Sequence, residues 1–373
     1  MSHPKTIAKG LEGVVIDTSS ICLIDGNAGR LIFRGYDIHD LASHTTFEEV
    51  AHLLWKGELP TSSQLEELKN QLSDARSIPE STISLMRSFP KESSPLDILR
   101  TVVSALGVGR PLEKPDVPQA IALTAKIPTI VTSFYRLRQG QKPVPPRSDL
   151  GHAANYLYMM TGKEPEKVKA DAMNTYLITL SDHGMNASTF TARVVASTWS
   201  DIYSAVTAAI GALKGPLHGG APGPVLEMLE EIGKPENAEE WMSAQLSQGK
   251  RLMGFGHRVY RTMDPRAVIL RDLASKIADK NLFQLAQQVE QTGLELLRKK
   301  NPDHANTNVE FYSCVVMHSI GLPVDMFTPS FASSRTTGWT AHVIEQVTNN
   351  RLIRPSTEYS GPRDRTVRPI ETR

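Results

Sequence analysis

Thr46-Phe-Glu-Glu49-Val50-Ala-His-Leu53-Leu54-Trp-Lys-Gly57, followed by Glu58-Leu-Pro60-Thr61-Ser-Ser-Gln64-Leu65, reads as two helices with their starts and stops written out. Thr46 with Glu49, and Thr61 with Gln64, have capping-box spacing, in which each side chain satisfies a free backbone N–H of the other. Val50, Leu53 and Leu54 form one apolar stripe, and Leu65, Leu68 and Leu72 the next. Gly57 and Pro60 stop the first helix. Outward from this stretch, the same spacing predicts helices at about 95–107, 118–138, 149–161, 165–181 and 186–212. Further helices fit about 222–232, 237–248, 263–277, 281–299, 308–320 and 329–348, the last with Phe331, Thr340, Ile344 and Val347 facing a core. Pro128 is expected to kink its helix. Ser148-Asp149 and Lys163-Glu164-Pro165 read as helix starts, and Gln141–Pro146, with three prolines, as an exposed loop. Upstream, Val14–Ile16, Ile21–Ile24 and Leu31–Phe33 are short β-branched runs punctuated by Gly26, Gly29 and Gly35. They predict one or two small strands. No run is long enough for a central sheet, so the fold class is all-α.

At 373 residues the chain exceeds the ~250–300 at which one core stops growing, so one large or two domains are expected. Its 40% hydrophobic and 22% charged residues are those of a globular protein. A net charge of +1 provides no overall field for nucleic acid or an anionic membrane, so anion binding must come from local arginine clusters. Cys22 and Cys314 are too few for a disulfide framework and suit a reducing cytosol. Met1 to Gly10 has no apolar run of signal-peptide length, and no stretch approaches the ~20 apolar residues of a membrane span. A soluble, cytoplasmic protein is expected. The tail after Asn350 carries Arg351, Arg354, Pro355, Arg363, Arg365 and Arg368; it is expected to be irregular, or to lie across a partner subunit.

Four segments set reactive side chains among small residues, which permits close backbone approach to a ligand. Ser181-Asp-His-Gly-Met-Asn-Ala-Ser188 offers His183 and Asn186; its plain structural reading is a helix end capped by Asp182 or Asn186. Gly215-Pro-Leu-His-Gly-Gly-Ala-Pro222 brackets His218 with glycines and prolines, so the histidine sits on a turn; a tight connector would look the same. Gly254-Phe-Gly-His-Arg-Val-Tyr-Arg-Thr-Met-Asp-Pro-Arg266 joins His257 to three arginines and reads as an anion site beside a titratable group, or as a basic loop before a helix. Asn306-Thr-Asn-Val-Glu-Phe-Tyr-Ser313 places Glu310 early in an otherwise apolar helix, where the helix dipole alone favours a carboxylate. Together they suit carbon–carbon bond formation from an acyl thioester. That reaction needs a base for the α-proton and donors at the enolate oxygen and the accepting carbonyl. One carboxylate and two histidines meet the need without a metal, and a dianionic acceptor calls for arginines. The eleven histidines include no HExxH and no Cys/His ligand spacing.

At these segments, and from Gly10-Leu-Glu-Gly13 to Asn350-Arg-Leu-Ile-Arg-Pro355, the sequence closely resembles citrate synthases. The motifs that carry the resemblance are Gly215-Pro-Leu-His-Gly-Gly220, Gly254-Phe-Gly-His-Arg-Val-Tyr-Arg261 and Phe327-Thr-Pro-Ser-Phe-Ala-Ser-Ser-Arg-Thr-Thr-Gly-Trp339. The resemblance implies that His218 stabilises the enol or enolate of acetyl-CoA, that His257 polarises the oxaloacetate ketone, and that Glu310 is the base. It implies oxaloacetate contacts from His183, Asn186, Arg266, Arg335 and a neighbouring subunit's Arg354. It implies coenzyme A contacts from Arg261 and from Gly254, Phe255 and Gly256. Hydrolysis of citryl-CoA would complete a synthesis of citrate with no cofactor beyond the acyl-CoA substrate. The implied fold is an all-α homodimer with a large domain, 1–219 and 321–373, and a smaller mobile domain, 220–320, that closes over oxaloacetate.

Two positions depart from the family pattern. Many members have Asp where this chain has Glu310, whose extra methylene moves the carboxylate by over an ångström unless the helix shifts. Many also have Asn where Pro222 stands. The chain lacks the extra N-terminal domain of the NADH-inhibited hexameric branch, so a dimer without that regulation is expected. A 2-methylcitrate synthase using propionyl-CoA would share every one of these residues; the two differ by one methylene in an acyl pocket, worth ~1–3 kcal/mol. A non-catalytic acyl-CoA-binding regulator would be expected to have lost a catalytic group, and here both histidines and a carboxylate are present.

Overall fold

The computed structural model describes residues 7–219, 222–257, 259–299 and 305–373, without the side chain of Pro222. Residues 1–6, Gly220 and Ala221 (hence the expected domain boundary), Arg258 of the basic loop and the Pro222 departure therefore lie outside the described residues.

The chain opens with three short antiparallel strands in the order β1-β2-β3: β1 Cys22–Asp25, β2 Arg30–Phe33 and β3 Tyr36–Asp37. Helices follow without further sheet: α1 Ile38–His44, α2 Phe47–Lys56, α3 Ser62–Ala75, α4 Glu80–Arg87, α5 Pro95–Gly107 and α6 Val117–Arg138. Then come α7 His152–Thr161, α8 Lys167–Leu180, α9 Ala187–Ser197, α10 Ile202–Leu213 and α11 Pro222–Ile232. The last five are α12 Ala238–Ser247, α13 Pro265–Ile277, α14 Lys280–Arg298, α15 Val309–Ser319 and α16 Phe327–Thr348. The fold is all-α, as the sequence predicts. Both capping boxes form, at Thr46/Glu49 and Thr61/Gln64, and Gly57 ends α2 in the left-handed conformation.

The core is organised by α16, which packs against α2, α6, α8, α9 and α10. It is buried on every side although rich in hydroxyls. Those hydroxyls return to backbone carbonyls of the preceding turn: Ser330 to Met326 (2.7 Å), Ser333 to Pro329 (3.0 Å), Thr336 to Ala332 (2.7 Å) and Thr340 to Thr336 (2.8 Å). Small satisfied residues let neighbouring helices approach closely, while Phe327 and Trp339 fill the gaps. Burial of Phe327 alone is worth roughly 1.5–3 kcal/mol. Two bonds from α16 also lock the end of α8: Ser334 to Leu177 O at 2.5 Å and Arg335 Nε to Leu180 O at 2.8 Å.

The structure corrects several local expectations. The helix expected at about 186–212 is two, α9 and α10, because Trp199 adopts a left-handed φ of 65° and Asp201 caps a new start through Ser204 N–H. Val14–Ile16 is exposed and forms no strand, while Tyr36–Asp37 pairs with β2 as the third. The short helices α1 and α4 carried too few apolar repeats to be predicted. Ser148-Asp149 does not start α7, which begins after Gly151. As expected from the sequence, Pro128 lies inside a helix, α6. Beyond Asn349 the tail is exposed apart from half-buried Asn350, Ile353 and Gly361, and irregular apart from a 3-10 turn at Ile370–Thr372; Asn350 and Ile353 are held by Ser197. No helix among the described residues is long and apolar enough to cross a membrane. Cys22 and Cys314 are free.

Candidate active site

The turn after α8 presents the first histidine. Asp182 is fully buried, accepts the Gly184 N–H at 2.9 Å and faces His342 of α16 at 3.4 Å. His342 is backed in turn by Arg193 of α9, which pairs with Glu345 at 2.8 Å and with Asp17. Asn186 caps α9: its Oδ1 accepts Ser188 N–H and Thr189 N–H, both at 3.1 Å. The plain reading of Asn186 as a cap is thus realised, and the cap orders the turn that carries His183. His183 is 9% exposed, with Nε2 3.3 Å from the Tyr260 hydroxyl. Burial, then the nearby Arg266 and Arg335, hold its pKa well below the usual histidine value.

His218, half-buried on the turn after α10, has its Nε2 against Ser188. The Ser188 hydroxyl lies 2.8 Å away and the Ser188 backbone N–H 3.3 Å away. The same hydroxyl donates to Asn186 Oδ1 at 2.7 Å, so Ser188 ties the His218 ring to the cap of α9. Trp339 Nε1 donates to the same hydroxyl at 3.0 Å and holds it in place. Burial, with Arg335 nearby, pushes the pKa of His218 down to about 4, so the ring is neutral at pH 7.

Two backbone donors fix the tautomer of His257. Its Nδ1 accepts the backbone N–H groups of Val259 (2.9 Å) and Tyr260 (3.0 Å), which leaves the proton on Nε2. Burial and Arg266 push its pKa down to about 4 against the opposing pull of Asp264. The ring meets His183 edge-on, with centroids 5.4 Å apart, and its side chain keeps 16% exposure. Both histidines are therefore neutral donors at physiological pH.

Glu310 is half-buried on the first turn of α15, behind the Asn308 cap. Burial raises its pKa; the Arg266 and Arg335 charges pull the other way. The loop that carries His257 is stitched to this helix start: Gly256 N–H to Asn306 O at 2.7 Å, Asn308 N–H to Gly254 O at 3.0 Å and Asn308 Nδ2 to Gly256 O at 3.0 Å. Gly254, at φ 82°, admits no side chain, because a Cβ there would lie 2.7 Å from Phe311 Cδ2. Phe255 packs edge-on against Phe311 at 5.3 Å. These backbone groups of Gly254 and Gly256 are thus already engaged within the chain.

Arg266 is 3% exposed and makes a two-pronged contact with Asp264, the cap of α13. Arg335 is 2% exposed, lies over the Phe331 ring at 4.6 Å, and burial lowers its pKa to about 10. Both charges act on His183 and Glu310, that of Arg335 also on His218 and that of Arg266 on His257. The structure therefore gathers His183, His218, His257, Glu310, Arg266 and Arg335 around two buried cations. Arg261 lies exposed at the edge, its N–H bonded to Gly26 O at 2.9 Å. Arg354 is exposed in the tail and belongs to no cluster of this chain. Sequence reasoning passed over Ser188, Tyr260, Asp264 and Trp339, all inside quoted motifs, because their role is to hold other side chains and only contact reveals it. Among the described residues no group of three His, Cys, Asp or Glu could hold a metal.

This arrangement has known counterparts. The family model described as "Citrate synthase, C-terminal domain" matches residues 10–356. Citrate synthase 2 of Bacillus subtilis is 45% identical over 378 residues, covering 99% of this chain and all of that protein. A 2-methylcitrate synthase of Mycobacterium tuberculosis is 41% identical, covering 97% of this chain and 92% of that protein. The solved structure of Thermoplasma acidophilum citrate synthase, a ternary complex with carboxymethyl coenzyme A and oxaloacetate, superposes with a TM-score of 0.93 at 36% identity, covering 99% of this chain and 100% of that one. By fold, by motif and by full-length similarity, the chain belongs to the citrate synthase family.

Proposed function

We propose that the protein condenses acetyl-CoA with oxaloacetate and water to give citrate and coenzyme A. The observation that carries this reading is the pair of neutral histidines, His218 held by Ser188 and His257 by two backbone N–H groups, with a carboxylate of raised pKa on the helix start stitched to the His257 loop. Glu310 takes the α-proton of the acetyl group. His218 donates from Nδ1 to the thioester oxygen and stabilises the enol or enolate. His257 donates from Nε2 to the oxaloacetate ketone as the new carbon–carbon bond forms and the oxygen becomes a hydroxyl. Arg266 and Arg335, with Arg354 of the partner subunit, hold the carboxylates, and His183 and Asn186 line the same pocket. Water then cleaves the thioester of citryl-CoA and releases the thiol.

Coenzyme A is held by Arg261 and the Gly254–Gly256 backbone, and no further cofactor takes part. The protein works as a cytoplasmic homodimer. Residues 220–320 form the smaller domain, which closes on the remainder once oxaloacetate is bound and keeps water from the thioester until the acceptor is in place. The 41% identity to a 2-methylcitrate synthase supports a second reading with propionyl-CoA. Thiol release measured from acetyl-CoA and propionyl-CoA at saturating oxaloacetate separates the two. Higher kcat/KM with acetyl-CoA is expected; faster turnover of propionyl-CoA would assign the enzyme to methylcitrate, and turnover of neither would overturn the condensation reading.

A further inference from the structure

The β1–β2 hairpin touches the turns that carry His183 and His257, and no catalytic role explains why. One pair below its tip, Ile24 packs against Gly184, next to His183; a Cβ on Gly184 would lie 3.2 Å from Ile24 Cδ1. Its tip is stiffened by Asp25, whose Oδ1 accepts the N–H groups of Asn27 (3.1 Å) and Ala28 (2.9 Å). The tip presses on the segment that follows His257. Gly26 O accepts the Arg261 N–H at 2.9 Å, and a Cβ on Gly26 would lie 2.2 Å from Val259 O and 2.9 Å from Val259 C. A Cβ on Gly29 would lie 2.6 Å from Thr262 Oγ1. On the opposite side Asn306 Nδ2 holds Arg261 O at 2.9 Å.

The Val259 carbonyl and the Tyr260 N–H belong to one rigid peptide plane. The carbonyl end of that plane lies against Gly26, and its N–H end donates to His257 Nδ1. We propose that the hairpin is a clamp, with Gly26 as a positioning residue that sets the orientation and tautomer of His257 through the Val259–Tyr260 peptide. The inference rests on the condensation reading for its catalytic consequence, and on geometry alone for the clamp.

Gly26→Ala tests it. The added methyl must push the Val259 peptide away, which loosens a donor that only neutral His257 can use. Exchange of the Val259–Met263 amides, followed by mass spectrometry, should accelerate about tenfold or more as local opening becomes easier. At saturating substrates kcat should fall at least about tenfold, since small misplacements of reacting groups cost that much. The acid limb of the kcat–pH profile should move to higher pH, because His257 becomes easier to protonate; a merely structural defect would leave that limb in place. Ile24→Ala, which removes a contact instead of adding a clash, should move the same readouts in the same direction and guards against a Gly26→Ala variant that does not fold. Ala28→Ser at the exposed tip should match the wild type. Wild-type exchange rates in both Gly26→Ala and Ile24→Ala would overturn the clamp, and faster exchange with an unmoved kcat and pH profile would overturn the positioning role. A wild-type protein inactive with either acyl-CoA would overturn the condensation reading instead, and with it the catalytic consequence, while the exchange rates still decide the clamp.

Discussion

Asp264 and Arg266 are joined by two hydrogen bonds within the first turn of α13, Nε to Oδ1 at 3.0 Å and Nη2 to Oδ2 at 2.8 Å, and both side chains are buried. The same carboxylate caps the helix and lies 4.0 Å from His257 Nε2. One buried anion therefore orients the Arg266 cation and balances its charge beside His257. Asp264→Ala leaves Arg266 buried and unpaired, which typically costs about 3–5 kcal/mol. Urea unfolding should show that loss, and adding Arg266→Met to the same chain should restore part of it. Additive losses in the double variant would contradict the pairing.

Glu310 must be ionised to act as a base. Burial raises its pKa, whereas His218 and His257 stay neutral down to about pH 4. The acid limb of kcat in the wild type should therefore report Glu310, with a midpoint above the ordinary glutamate range. Glu310→Gln should lower kcat by ~10²–10⁴-fold. Thermal stability should be kept, because the substitution preserves the side chain's size and removes a charge whose burial is unfavourable. An unchanged kcat would remove Glu310 from the reaction.

Ser188 acts on His218 through its N–H and its hydroxyl, so Ser188→Ala removes one of two contacts and leaves the other. A fall in kcat of about ten- to a hundredfold is expected with little change in KM for oxaloacetate, as for loss of an orienting group. A rise in KM with kcat intact would instead place Ser188 in substrate binding.

Arg354 is exposed in the tail and, among the described residues, has no partner. If it completes a neighbour's site, Arg354→Ala should raise the KM for oxaloacetate with no change in melting temperature. His257→Ala should be inactive with its tail intact. Mixing and re-associating the two variants should restore about one site in four, because half the dimers are mixed and each then holds one complete site. No recovery on mixing would confine Arg354 to its own chain.

His152 is buried against Phe47 near the Arg76 charge, and among the described residues its Nε2 has no hydrogen-bond partner. Burial, with Arg76 second, depresses its pKa to about 3. A histidine held neutral in the fold binds its proton in the unfolded chain first, so stability is lost as pH falls from about 6.5 towards 3. His152→Leu should make the stability loss between pH 7 and 5 smaller by about 2 kcal/mol. Parallel pH–stability curves for the two proteins would rule this out.

How much was legible beforehand follows from the range of each interaction. The sequence by itself determined the fold class, both capping boxes and most helices to within a few residues, because helix starts are local; it marked His183, His218 and His257 as candidates because they stand among glycines and small residues, and Glu310, Arg266 and Arg335 through the family resemblance. The break between α9 and α10 was not legible, since it depends on one left-handed residue, Trp199, inside a periodic apolar run. Tertiary structure alone decided what holds each histidine ring, because the partners come from Ser188, thirty positions before His218, and from folded-back peptides after His257. It also decided that Arg266 is paired with Asp264 and that a hairpin near residue 26 presses on residue 259. Periodicity and capping are read within a few residues of chain, whereas tautomers, buried charges and close backbone contacts exist only once distant segments are brought within a few ångströms.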